Sequence, residues 1–354
     1  MRPRRAACAC LCLLAAASPL AACGGSGSGD STSAAVKNRP APPAAEFPSA
    51  AGKTLGDVLN STGGPSQLVV SPAQEVFYTG ENRYSFGVFR RDGTPVPDAQ
   101  VALYFAPVPG AQPTASNPQG GTPPAKAQAT ALGQKAKGPF PASIESLETE
   151  PAFRAATTAN DPNAATVVYV THVDFPREGE WRIAAAIKDG SGLRATLLPS
   201  AIVGRYRGIP RAGQRPPRIH TLTPGDVGGD LSKITTRVPP ERMNQEDFYD
   251  ALGRKPIVLL FATPQFCQSR VCGPVVDIAA QVQEQYGDKV DFIHQEIYKD
   301  NDPNKGVTEQ VRAFRLPSEP WLFVIDRNGV VRTVIEGAFG LSELEKAVKG
   351  VVGS

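Results

Sequence analysis

The chain has 354 residues, which is long enough for two domains. Its 37 lysines and arginines nearly balance its 34 acids, and the formal net charge is +3. Three arginines in the first 22 residues, which hold no acid, account for that excess, so the rest of the chain is neutral. A neutral chain lacks the electrostatic footprint of a nucleic-acid-binding protein, so no nucleic-acid partner is predicted.

The first residues have the pattern of a secretory signal. Arginines at positions 2, 4 and 5 precede an apolar stretch over residues 6–17, which is too short to be a good membrane span. The sequence LAACG at positions 20–24 resembles a bacterial lipobox. The resemblance implies a signal peptide over residues 1–22 and a lipid on Cys23, and an ordinary signal peptide is the alternative. A lipidated Cys23 would anchor the protein to the extracytoplasmic face of the cell membrane.

A tether is predicted over residues 23–53, which are rich in Gly and Ser and then in Pro and Ala. This composition gives a flexible segment that becomes stiffer, and it buries too little apolar surface to fold alone. Beyond the signal no run of about 20 apolar residues follows, so no further membrane span is predicted.

Residues 66–205 have the pattern of an all-β sandwich, because short strands alternate with turns. A Pro/Gly/Ala-rich insertion over residues 107–141 is predicted to be disordered. The segments 92–99 and 176–181 resemble immunoglobulin-like modules of bacterial surface proteins. That resemblance implies an immunoglobulin-like sandwich whose core contains Trp181. The strands are predicted over residues 83–90, 100–106, 165–173, 180–188 and 193–203.

A Pro/Arg/Gly-rich linker is predicted over residues 206–243, and an α/β domain over residues 244–354. Alternating strands and helices, then a hairpin and a helix, predict a sheet with helices on both faces. Asn328-Gly329 predicts a type I′ turn, and Ser342 with Glu345 fits a capping box. The predicted helices are 245–252, 274–286, 307–314 and 342–352, and the predicted strands are 257–261, 290–297, 321–326 and 330–336.

Two cysteines, Cys267 and Cys272, follow the first of these strands with four residues between them. In an oxidising compartment such a pair is either a structural bridge or a redox couple. Positions i and i+5 of an unbroken helix are about 8–9 Å apart at Cα, beyond the roughly 7 Å limit for a disulfide. At least one cysteine must therefore precede the helix, and Pro274 places the helix start near Gly273. A helix N-terminus favours thiolate over thiol.

This order of elements, with the cysteines after the first long strand, resembles the thioredoxin fold. The segment SEPWLFVID at 318–326 resembles the place where a cis-proline precedes a strand and faces the active cysteines, which puts Pro320 at that position. The ending of the segment is similar to that of membrane-anchored extracytoplasmic thioredoxins. The resemblance implies disulfide exchange with protein thiols through Cys267 as the attacking cysteine and Cys272 as the resolving one. It implies no cofactor.

The chain departs from thioredoxins in ways that keep alternatives open. Thioredoxins have two residues between their cysteines, and the position of their buried acid holds Leu260 here. The alternatives are a binding scaffold with a structural disulfide, a copper chaperone, and a peroxiredoxin-like peroxidase. No histidine precedes the strand at Trp321, where a copper ligand would lie, although two thiolates alone can hold Cu(I). Peroxide cleavage needs a cation, and Pro320 occupies the place of the expected arginine.

Five further residues near the cysteines are candidates. Arg270 could stabilise a thiolate, but a solvated loop residue is the favoured interpretation. His294 lies in an apolar strand and is predicted to be a hydrogen-bonded core residue, and Glu296 is a possible proton acceptor. Phe266 and Trp321 are expected to pack rather than to contact substrate.

Overall fold

Two antiparallel four-stranded sheets face each other in the first part of the chain. A computed structural model describes residues 37–110, 125–161, 164–190, 192–267 and 269–353. One sheet has the strand order β1-β2-β6-β5 and the other β4-β3-β7-β8. The strands are β1 (Val69–Pro72), β2 (Gly80–Phe89), β3 (Gln100–Pro107), β4 (Lys137–Pro141), β5 (Ser143–Ser146), β6 (Val167–Phe175), β7 (Gly179–Asp189) and β8 (Gly192–Val203), and three short helices accompany them, α1 (Leu55–Asn60), α2 (Ala125–Leu132) and α3 (Ala156–Ala159).

Aromatic side chains fill the space between these sheets. Phe86 stacks on Tyr169 with ring centroids 5.3 Å apart, and Phe175 packs against Trp181 at 5.5 Å. Inward and outward residues alternate along β3 and β6, as expected for strands of a sheet packed on a partner. The five predicted strands are present, and β1, β4 and β5 are additional. The immunoglobulin-like identity of this sandwich stays a prediction.

A third sheet follows in the last part of the chain, with the strand order β10-β9-β11-β12. Strand β10 is parallel to β9, whereas β11 is antiparallel to both β9 and β12. This is the βαβαββα order that the thioredoxin-like resemblance implies. The elements are α4 (Phe248–Ala251), β9 (Ile257–Phe261), α5 (Cys272–Tyr286), β10 (Asp291–Gln295), α6 (Glu309–Phe314), β11 (Trp321–Ile325), β12 (Val331–Glu336) and α7 (Leu341–Val352).

The helices α5 and α7 lie between the third sheet and the sandwich. Val168 and Val170 of β6 point away from the aromatic core and join one apolar cluster with Val275 of α5 and Val348 of α7. On the other face of the third sheet, Phe314 of α6 belongs to a separate cluster. The described sheets therefore share buried surface, and the predicted boundaries between two domains stay a prediction.

Within the described residues, parts of three segments predicted to be irregular are packed instead. Phe47 and Ala50, within the predicted tether, are buried with α1 against the outer face of β3 and β7. In the predicted insertion, α2 and β4 are regular, and β4 pairs with β3. In the predicted linker, Arg237 and Glu241 are buried. Each segment covers a sheet face, a sheet edge or a helix that would otherwise lie in water, which composition alone does not reveal.

The predicted signal peptide and Cys23 lie outside the described residues. Among the residues that the structure describes, no helix is both long enough and apolar enough to cross a membrane.

Candidate functional site

The cysteine site is formed where β9 ends and α5 begins. A disulfide joins Cys267 to Cys272, with the two Cα atoms 5.9 Å apart. Cys272 is the first residue of α5, two residues before the predicted helix 274–286, and Cys267 precedes the helix. The geometric expectation that at least one cysteine lies before the helix is therefore met.

The two sulfurs differ in their access to solvent. Cys267 retains 8% of its surface exposed, whereas Cys272 retains none. The Sγ atom of Cys267 accepts the backbone N–H of Cys272 at 3.3 Å and lies 3.2 Å from the Ser269 hydroxyl. A thiolate on Cys267 would meet both donors, together with the positive end of a helix of 15 residues.

A pocket of about 430 Å³ opens beside Cys267. One wall comes from the cysteine loop and the first turn of α5. The other comes from the connection between β5 and β6 and was not found by sequence reasoning. The lining residues are Pro264, Gln265, Phe266, Cys267, Arg270, Gly273 and Pro274 on the first wall, and Thr157, Thr158, Asp161 and Ala164 on the second.

Arg270 connects the two walls. It has a left-handed backbone (φ 60°), and its guanidinium binds both carboxylate oxygens of Asp161 at 3.0 Å. Its carbonyl accepts the backbone N–H of Ala165 at 3.2 Å. The residue is exposed, as predicted, but it also has a partner about a hundred residues earlier in the chain.

A buried ion pair lies below the pocket. The Arg237 guanidinium binds Asp277 on α5 at 2.8 Å, and their side chains are 7% and 1% exposed. The same guanidinium donates to the carbonyl of Phe153 at 2.6 Å. Burial raises the pKa of the Asp277 carboxyl, although the hydrogen bond and the charge of Arg237 act in the opposite direction. This pair was not predicted from the sequence. The signal that could have indicated it is a carboxylate inside the apolar run of α5.

His294 is the hydrogen-bonded core histidine that its strand pattern predicts. Its Nδ1 lies 2.6 Å from Glu241 and its Nε2 lies 3.1 Å from the carbonyl of Ala262. Because both neighbours are acceptors, both ring nitrogens carry protons and the ring is an imidazolium. Although burial opposes this charge, Glu241 and Glu296 raise the pKa of His294 to about 9.

Glu296 is buried and directly follows β10, the strand that contains His294. It accepts the backbone N–H and the hydroxyl of Thr236 at 2.6 and 2.7 Å. The hydroxyl of Thr236 also accepts the N–H of Gln265, two residues before Cys267. Burial raises the pKa of the Glu296 carboxyl. A role in proton transfer stays a prediction.

Pro320 is preceded by a cis peptide bond. Trp321, the next residue, pairs with Phe261 at the end of β9, so Pro320 lies at the sheet edge from which the cysteine loop leaves. Trp321 is buried and donates its indole N–H to Ser318, which agrees with a packing role. Phe266 lines the pocket and meets Tyr298 edge-on.

No group of three His, Cys, Asp or Glu side chains with metal-site geometry occurs among the described residues. The ring nitrogens of His294 are occupied by Glu241 and Ala262.

Neither a protein-family model nor a curated protein matches the sequence. Solved structures similar to parts of the chain include thiol:disulfide interchange and thioredoxin-like proteins. One from Chlorobium tepidum, described as a thiol:disulfide interchange protein DsbE, is 17% identical, with a TM-score of 0.30, over 41% of this chain and 99% of its own. A thioredoxin-family interchange protein from Chlorobium tepidum TLS is 18% identical over 42% and 100%, with a TM-score of 0.27. An oxidised thioredoxin-like protein is 20% identical over 29% and 80%, with a TM-score of 0.23.

Proposed function

We propose that this protein is a thiol–disulfide oxidoreductase that acts on thiols through Cys267 and Cys272. The observation that supports it best is the asymmetry of the disulfide, since one sulfur faces a pocket at a helix N-terminus and the other is fully buried. Thioredoxin-like proteins exchange disulfides from this position, at the start of the helix that follows the first long strand.

The exchange proceeds in two displacements. A substrate thiolate attacks Sγ of Cys267, the bond to Cys272 breaks, and its electron pair goes to Cys272 as a thiolate. A second substrate thiolate then attacks the substrate sulfur of the mixed disulfide and releases Cys267. Overall, two substrate thiols become a disulfide, and the cysteine pair takes up two electrons and two protons. Run backwards, the same steps reduce a substrate disulfide.

We propose that the reaction takes place outside the cytoplasm, on a protein held to the membrane by a lipid on Cys23. Its basis is the sequence LAACG at positions 20–24, which precedes a Gly/Ser-rich segment. An oxidising compartment would favour the disulfide form of the pair.

A scaffold with a structural disulfide is the second candidate, because both cysteines are more than nine-tenths buried. The reduction potential of the Cys267–Cys272 pair separates the two. We expect a reversible value between about −120 and −270 mV by dithiothreitol or glutathione titration with thiol alkylation. A value below about −300 mV would make the bridge structural.

Replacing Cys267 with Ser should abolish disulfide exchange and leave the fold intact. Cys272→Ser is the matched variant, and it should trap a mixed disulfide on Cys267, visible by mass spectrometry. Exchange that continues in Cys267→Ser would contradict the assignment.

A further inference from the structure

The connection between β5 and β6 passes over the cysteine site. We call residues 150–161 the strap. Strap residues Thr157, Thr158 and Asp161 form the second wall of the pocket beside Cys267. The strap belongs to the sandwich part of the chain, about a hundred residues before the cysteines, so the site is built by both parts.

The strap is fixed to α5 along its length. The backbone N–H of Glu150 donates to Gln281 at 3.0 Å, and that of Ala155 donates to Asp277 at 3.2 Å. Arg237, buried against Asp277, holds the carbonyl of Phe153 at 2.6 Å. These partners are themselves buried, so the wall is a built part of the site and not a surface loop that rests on it.

The contact is closest at the first turn of α5. A Cβ atom on Gly273 would lie 2.8 Å from the Thr158 hydroxyl oxygen, closer than real Cβ contacts allow. Thr158 is 7% exposed, whereas the Arg270 side chain is 53% exposed, so the Arg270–Asp161 pair lies nearer to solvent, at the rim of the pocket. A substrate that approaches Cys267 along the strap therefore passes beside this ion pair.

The geometry points to a substrate whose thiol is on a slender group. We propose that the strap restricts the site to small thiols and to cysteines on extended, unfolded peptide, and excludes cysteines on folded surfaces. A pocket of about 430 Å³ is of the size that admits small molecules. Two folded proteins in a specific complex bury roughly 800 Å² each on broad surfaces. A broad folded surface cannot reach a sulfur that is recessed behind a wall. This inference rests on the proposed disulfide exchange and specifies its substrate class.

The test compares three monothiols as attackers of the oxidised full-length protein. They are glutathione, an unstructured peptide with one cysteine, and a small folded protein with one exposed cysteine. Mixed-disulfide formation is followed by acid quench and mass spectrometry, and each rate is corrected for thiol pKa. We expect the folded protein to react at least about 30-fold more slowly than the peptide, because exchange rates depend on access.

The strap variant Asp161→Ala removes the carboxylate at the rim. We expect the ratio of the folded-protein rate to the glutathione rate to rise about threefold to tenfold, since access is the quantity that changes. The ratio cancels any common effect of the lost charge on attacking thiolates. Glu178→Ala is the matched control, because it removes an acid paired with an exposed arginine on the sandwich and should leave the ratio unchanged.

The outcomes separate the inference from the proposed function. Equal corrected rates for all three thiols in the wild-type protein would overturn the role of the strap and leave disulfide exchange in place. A disulfide that none of the three thiols opens would overturn the proposed function and the inference with it. A fast reaction with glutathione alone supports a small-thiol substrate. A fast reaction with both glutathione and the peptide supports small thiols and cysteines of unfolded peptide as substrates.

Discussion

At the scale of single residues, the pKa of His294 is strongly shifted by its buried neighbours. Its pKa rises from 6.5 to about 9, because the nearby carboxylates of Glu241 and Glu296 outweigh burial. Between these two values the folded state therefore binds more protons than the unfolded state. The stabilisation is complete below pH 6.5 and is lost as the pH rises to about 9.

We expect the free energy of unfolding to fall by about 3 kcal/mol over that window because of His294. Urea unfolding at pH 6 and at pH 9.5 measures the change. His294→Gln should be less stable at pH 6 and should lose this part of the pH dependence, whereas His172→Gln, on an exposed side chain, should keep it. An unchanged fall in His294→Gln would refute the assignment.

A second group, Glu336, adds a separate pH dependence at lower pH. Burial raises its pKa to about 7, although hydrogen bonds from Ser318, Glu75 and Val76 favour the charged form. Its contribution to stability is present at low pH and is lost between pH 4.5 and about 7. Glu336 is present in both the wild type and His294→Gln, so the difference in their unfolding free energy at each pH reports His294 alone.

The buried pair Arg237–Asp277 allows a test with a matched control. Arg237→Ala leaves Asp277 uncompensated inside α5, and we expect a loss of about 3–5 kcal/mol in unfolding free energy. Arg205→Ala breaks an exposed pair with Glu178 and should change stability little. Similar losses of unfolding free energy in both variants would show that burial does not determine how much the Arg237–Asp277 pair contributes to stability.

At the scale of elements, the strands and helices from β9 to α7 are predictable within two residues at each end, whereas the short helix α4 begins three residues later than predicted. Buried strands are continuous apolar runs and the long helices have one apolar face, so local pattern and tertiary environment agree. Strands β1 and β4 were missed because VVSP and KGPFP contain prolines and have no strand-type alternation.

Turn and cap details were predicted less well than the elements they join. In the hairpin after β11 Gly329 has a positive φ and Asn328 does not, so the turn is not of type I′. The predicted capping box of α7 is wrong, since Gly340 is the N-cap. The Ser342 hydroxyl donates instead to Glu145 in β5, a contact 197 positions away in sequence. Tertiary partners override local signals at such ends.

The candidate site was half predictable for the same reason. Cys267 and Cys272 follow a predicted strand with four residues between them, and Pro320 directly precedes another predicted strand. Each of these residues therefore has a local sequence signal. The strap residues Thr157 and Asp161 carry no local signal, because their role comes from a wall that forms in the folded chain.

At the scale of the whole molecule, the sandwich and the third sheet share an apolar cluster. Val168 and Val170 of β6 pack with Val275 and Val348 in that cluster. Arg83 of β2 adds an ion pair with Glu343 of α7 at 2.8 Å. Elements that share a core should lose their structure together.

The two tryptophans of the chain permit a direct test of this coupling. Trp181 lies in the sandwich and Trp321 in the third sheet. The variants Trp321→Phe and Trp181→Phe each retain one tryptophan. Within each variant, the unfolding midpoint measured by fluorescence should coincide with the midpoint measured by circular dichroism. Two separated transitions within one variant would mean that the parts unfold independently.

The shared cluster also bears on how the protein is made. Synthesis proceeds from the N-terminus, and domains fold as they emerge. The outer face of β6, with Val168 and Val170, is complete about a hundred residues before α5, which covers it. During synthesis, the nascent sandwich therefore presents an apolar face to its surroundings until the cysteine helix arrives, and in this interval the chain needs protection from aggregation.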